Sequence, residues 1–147
     1  MPMKIAANIA GALLGLAFVL FGLMVLLNLA PPPPPFPEGS AAGHFMTAFA
    51  TTGYLKFVKL FEVIGGLLVA IPKTRRAGLL VLGPIMINIL AFHGFITHGE
   101  GLLSPLLLVL CALTLFLVWV EQTPFKVFLC QPCSSKTNAT SDRPARS

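Results

Sequence analysis

Residues 5–30 carry no charged side chain, and only Asn8 and Asn28 add polarity to the apolar run. At about 1.5 Å per residue, a helix of that length outruns the roughly 30 Å hydrocarbon core of a bilayer. Three further apolar runs follow, over residues 54–71, 77–96 and 102–120. Of the 147 residues 56% are hydrophobic and 10% charged, against roughly 25% charged in an average soluble domain. That is too little polar surface to cover a soluble fold. The expectation is an all-α protein, an integral membrane four-helix bundle over residues 1–128. Four spans use most of the chain, so no room is left for a separate catalytic domain.

A cleaved signal peptide is the competing reading for the first run, because Lys4 precedes it. Signal cores run about 7–15 residues, and Asn28-Leu29-Ala30 lacks a small-x-small cleavage pattern. An uncleaved helix is therefore expected. Prolines 31–35 and Pro37 cannot continue it and predict a stiff polyproline spacer in an outer loop over residues 31–53. Within that loop residues 40–52, with His44, Phe45 and Phe49, predict a short helix lying in the interface. Pro72 ends the second span. Pro84 falls inside the third, where it is expected to free the carbonyl of Leu80 and kink the helix. Ser104-Pro105 starts the fourth, serine as cap and proline as first helical residue. Trp119 suits an interfacial position, and residues 129–147, rich in Ser, Thr, Lys and Arg, are expected to be a disordered cytoplasmic tail.

In a four-span arrangement Lys4, the loop with Lys73, Arg75 and Arg76, and the tail residues Lys126, Lys136, Arg143 and Arg146 fall on one side. Glu38 and Glu100 fall on the other. By the positive-inside rule both termini are cytoplasmic. The basic residues sit in short loops and the tail, not on an amphipathic face, so nucleic acid is excluded as a partner; the lipid bilayer is the expected surrounding.

The other three spans contain no Asp, Glu, Lys or Arg, so the second stands out with Lys56, Lys59 and Glu62. Lys56 is near enough to the outer end to snorkel, while Lys59 and Glu62 share a helix face and can pair. An internal ion pair that fixes helix docking is one reading, and a proton-carrying carboxyl is the other. The third span runs in the opposite direction, so Asn88 and His93 fall level with Glu62 and Lys59. Four polar side chains in one layer of the outer leaflet suggest a buried polar site. Asn88 and His93, however, are five residues apart and point roughly 140° away from each other, so both need not face one cavity. His93 also suits a hydrogen-bonded packing role; His44 and His98 belong to outer loops, and no metal site is expected.

Gly11-x-x-x-Gly15 with Gly22, and Gly65-Gly66, offer small surfaces for close helix approach, with a homo-oligomer face as the alternative use. Cys111 lies in an apolar run. Cys130-Gln131-Pro132-Cys133 has dithiol spacing but lacks the β-α-β context of redox motifs, and offers half of a zinc site or a target for acylation. The Asn138-Ala139-Thr140 sequon lies in a tail expected to be cytoplasmic and is discarded.

The block Lys59-x-x-Glu62-x-x-Gly65-Gly66-x-Leu68, followed by Pro84 and by Asn88-Ile89-Leu90-Ala91-Phe92-His93, resembles the DoxX-like family of small bacterial membrane proteins. The resemblance implies a four-helix fold in the bacterial inner membrane. It also implies work as a membrane subunit or accessory of a quinone-linked thiol or sulfur redox system, with a quinone as cofactor and a soluble oxidoreductase subunit as partner. Carried over by position, it points to Lys59, Glu62, Asn88 and His93: Glu62 and His93 managing protons or hydrogen-bonding the quinone, Lys59 holding Glu62, Asn88 and His93 binding the head group. The cysteine pair stands outside the family pattern. A non-catalytic anchor or scaffold for a partner protein is the alternative from another class, and a small-solute exporter is the third.

Overall fold

A computed structural model describes residues 2–31, 36–37 and 39–122. Among these the chain is all-helical: α1 (Pro2–Leu26), α2 (Ala41–Thr51), α3 (Tyr54–Ala70), α4 (Arg75–Ala91), continued by a π-helical turn (Phe92–Ile96), and α5 (Pro105–Val120). The polyproline stretch at residues 32–35, Cys130 and Cys133, the Asn138 sequon and the tail over 129–147 lie outside the described residues.

Helix ends follow local chemistry. Ser104 Oγ accepts from the Leu107 amide at 3.4 Å and Pro105 opens α5, as the serine-proline pair predicts. The fourth run thus becomes helical only from Pro105, not from residue 102, since Leu102 and Leu103 belong to the preceding turn. Ile71, before Pro72, is extended and ends α3. α1 stops at Leu26, short of residue 30. Asn28 turns left-handed at φ 54, and the Leu29 and Ala30 amides both return to the Met24 carbonyl, at 2.8 and 3.0 Å. Asparagine is one of the few residues with a side chain that enters this conformation readily, so it ends the helix before the prolines do. α4 begins two residues before the expected 77, which makes Arg75 its first residue, and it stays helical through Pro84.

Helices α1, α3, α4 and α5 close a ring, α1 against α3, α3 against α4, α4 against α5 and α5 against α1, while α2 leans on α3. Glycines set the two tightest contacts. Along α1 and α3, Gly15 lies against Gly66 and Ala70, Gly22 against Lys59 and Val63, and Gly11 against Val69, so the two run antiparallel. A Cβ on Gly15 would collide with the Gly66 carbonyl oxygen, and one on Gly66 would stand 2.9 Å from the Gly15 carbonyl. Gly65 against Leu82, and Gly78 against Val69, align α3 and α4 antiparallel in the same way. Gly15→Ala is expected to lower stability by about 1–3 kcal/mol through overpacking, read as earlier thermal unfolding of the solubilised protein. Gly83→Ala is the control, since nothing lies within 4 Å of the added Cβ. Equal effects would mean that close approach is not what Gly15 provides.

The core of Leu14, Phe18, Val69, Leu82, Met86, Leu107 and Leu117 is matched by an outside that is also apolar. Leu13, Leu16, Leu20, Leu80, Ile87, Leu108 and Leu115 are all exposed. A helix that is hydrophobic all round is either the core of a larger body or surrounded by lipid. By length and composition, Met3–Leu26 and Arg75–Ile96 are apolar enough to cross a membrane.

Candidate functional site

Two helical stripes meet at the end of the ring that α2 covers. On α3 the stripe is Leu55, Val58, Lys59 and Glu62; on α4 and its extension it is Ile85, Asn88, Ile89, Phe92 and His93. Both follow the i, i+3, i+4, i+7 spacing of one helix face. Between them lies a cavity of about 600 Å³, closed above by Phe45, Met46 and Phe49 of α2 and at the side by Val25 and Asn28. All four polar residues singled out from the sequence, Lys59, Glu62, Asn88 and His93, line it. Asn88 and His93 both line it, together with Ile85, Ile89 and Phe92 from the same stripe, so the cavity is wide enough to reach both.

Glu62 is 3% exposed. Lys59 Nζ donates to both of its carboxylate oxygens, at 2.9 and 2.8 Å, one turn back on the same helix. A buried carboxylate needs such a partner, because desolvation without one is far more expensive than the pair's residual cost. Lys56, one turn nearer the α3 start, is exposed.

His93 stands in the π-helical turn, a helix form found often at functional sites. Its Nδ1 is 2.9 Å from the Ile89 carbonyl. A carbonyl only accepts, so Nδ1 carries the hydrogen and Nε2 is left as the ring nitrogen free to meet a ligand. The ring edge packs under Gly101, where φ is +80 and a Cβ would come within 2.9 Å of Cδ2. Thr97 Oγ1 ties the turn down, 3.0 Å from the His93 carbonyl. His44 and His98 are exposed, and among the described residues no group of three His, Cys, Asp or Glu could hold a metal.

Two features escape the sequence reading. The first is the aromatic cover: Phe45 lies 5.3 Å from both Phe49 and Phe92, and Phe49 lies 5.1 Å from Tyr54. The i, i+4 spacing of Phe45 and Phe49 was the available signal. The second lies at the opposite end. Arg75 is buried, its Nη2 donating to Asn8 Oδ1 at 2.8 Å and its Nε to the Val69 carbonyl at 3.4 Å. Glu121 faces it at 3.6 Å and accepts from Arg76 Nε at 3.0 Å. Gly11 makes room for this guanidinium, since a Cβ there would stand 2.9 Å from Arg75 Nε.

Neither a family model nor a solved structure matches the chain. Among curated proteins it is similar to the uncharacterized protein YwoB of Bacillus subtilis (strain 168), 30% identical over 104 residues, which is 67% of this chain. The chain spans 66% of that relative's length.

Proposed function

We propose that the chain is a DoxX-like protein crossing the bacterial inner membrane four times with both termini cytoplasmic, and that its cavity receives a quinone head group in support of a thiol- or sulfur-linked redox system. The observation that carries this reading is the convergence of Lys59, Glu62, Asn88 and His93 on one cavity with aromatic walls. Its volume of about 600 Å³ falls within the roughly 300–1,000 Å³ of small-molecule sites, which combine apolar walls with a few polar groups. The apolar outer faces of α1, α3, α4 and α5 support the four crossings, and Lys73 and Arg76 at the far end from the cavity support the orientation.

The residues fit the group. Phe45, Phe49 and Phe92 line the cavity with aromatic rings, the Asn88 amide would donate to a ring oxygen, and Lys59 retains a third N–H beyond the two bonds it makes to Glu62. A bound quinone would supply two-electron, two-proton redox chemistry. His93 Nε2 and the Glu62 carboxyl are the groups in the wall that would face the quinone oxygens, and Lys59 keeps Glu62 oriented. Titrating a benzoquinone against the purified chain is the test. Glu62→Gln and His93→Ala are each expected to weaken binding by roughly ten- to a hundredfold, the loss of one charge-assisted hydrogen bond. Unchanged binding in both variants would remove these roles.

A further inference from the structure

Beside the main cavity, between α3 and α4, lies a groove of about 370 Å³ with Val58, Ile85 and Asn88 as a common wall, its other walls being apolar and aromatic side chains such as Phe57, Phe61, Leu80 and Pro84. Gly65 and Gly78 draw α3 and α4 together at one end, and the groove lies beyond them, with Phe61 and Ile85 in its wall. Asn88, at the outer edge of the α4 stripe, is exposed and lines both spaces.

We infer that the ligand of this site is amphipathic and enters sideways from the bilayer between α3 and α4, leaving its polar head in the cavity, its apolar tail in the groove and Asn88 at the threshold. This rests on the reading of the cavity as a ligand site in a membrane protein. The groove has the chemistry of a tail: Leu80 and Phe57 are 62% and 54% exposed and face the same surroundings as the lipid-facing sides of the helices. A third space of about 450 Å³ beside α2 also reaches Asn88; its wall is the ring contact of Phe49 with Phe45 and Tyr54, at 5.3 and 5.1 Å, without the aliphatic Leu80 and Ile85 that line the groove. A polar amide on an apolar helix wall is costly toward lipid and useful where a head group must leave the hydrocarbon.

The test is photolabelling of the full chain in lipid nanodiscs with a decyl-tailed benzoquinone carrying a diazirine at the tail end. The same ring bearing a methyl group serves as competitor. Label is expected on the groove segments of α3 and α4 around Phe57, Phe61, Leu80 and Pro84, suppressed by the competitor. Leu80→Trp, which fills the groove from an exposed position, is expected to cut this labelling roughly tenfold, the worth of about two displaced methylenes, and to leave binding of the methyl compound unchanged. Competed label on α2 or α5 instead would overturn the lateral route while the head-group site stands. A methyl compound that neither binds nor competes would overturn both.

Discussion

Replacing Arg75 with methionine is expected to lower stability by about 1–3 kcal/mol, the range for leaving buried acceptors without their donor. Three separate elements meet on this guanidinium: Asn8 from α1, the Val69 carbonyl from the end of α3, and Glu121 just past α5, with α4 supplying the arginine itself. Its loss would leave the Val69 carbonyl without this donor and an empty space over Gly11. Glu121 keeps Arg76, whose side chain is 60% exposed, so the remaining pair is screened and worth little. Arg75→Lys retains charge but loses the planar fork that serves three acceptors at once, and is expected to fall about midway. Unfolding the solubilised protein with increasing denaturing detergent measures both variants. A double-mutant cycle with Asn8→Ala then isolates the 2.8 Å bond. A change for Arg75→Met no larger than that of an exposed control such as Lys73→Met would show that this end of the ring is held by apolar packing alone.

That arginine marks where the sequence was hardest to read. Lys73, Arg75 and Arg76 stand together in a short connection, and charge counting treats such residues as equivalent solvated groups. The difference comes from helix start. Because α4 begins at Arg75 instead of two residues later, the first helical side chain points back into the ring while Lys73 and Arg76 remain outside. Boundaries of that precision depend on tertiary contacts, here the opening over Gly11, which no local signal contains. Asn28 is the converse case. Its left-handed preference was available in the sequence, yet the prolines beyond it looked like the stronger stop.

The polar layer was legible because charge is rare in apolar helices, so Lys59 and Glu62 stood out by contrast alone. Helix direction then gave the depth of Asn88 and His93 without any knowledge of side-chain contacts. What periodicity could not give was the width of the space. An angle of roughly 140° between two residues separates them in a tight interface and unites them across a wide cavity, and only the arrangement of α2 over α3 and α4 decides between these. The short helix itself was expected, but as an interfacial element. Its aromatic residues line the cavity, and Phe45 packs at a tilt against Phe92.

The Lys59–Glu62 pair separates a structural from a chemical role most sharply. Lys59→Met alone would leave a carboxylate that is 3% exposed without either of its two bonds, and is expected to cost about 3–5 kcal/mol. Lys59→Met combined with Glu62→Leu removes both charges, and replacing a buried pair by apolar side chains is often neutral or stabilising by about 1–4 kcal/mol. The double variant should therefore unfold no earlier than the wild-type chain. Its quinone affinity is the deciding measurement. If Glu62 and Lys59 act on the ligand, the double variant is folded and stable yet binds benzoquinone roughly ten- to a hundredfold more weakly. Full affinity in that stable double variant would reduce the pair to a docking device between helices, and would leave Asn88 and His93 as the cavity's remaining polar contacts.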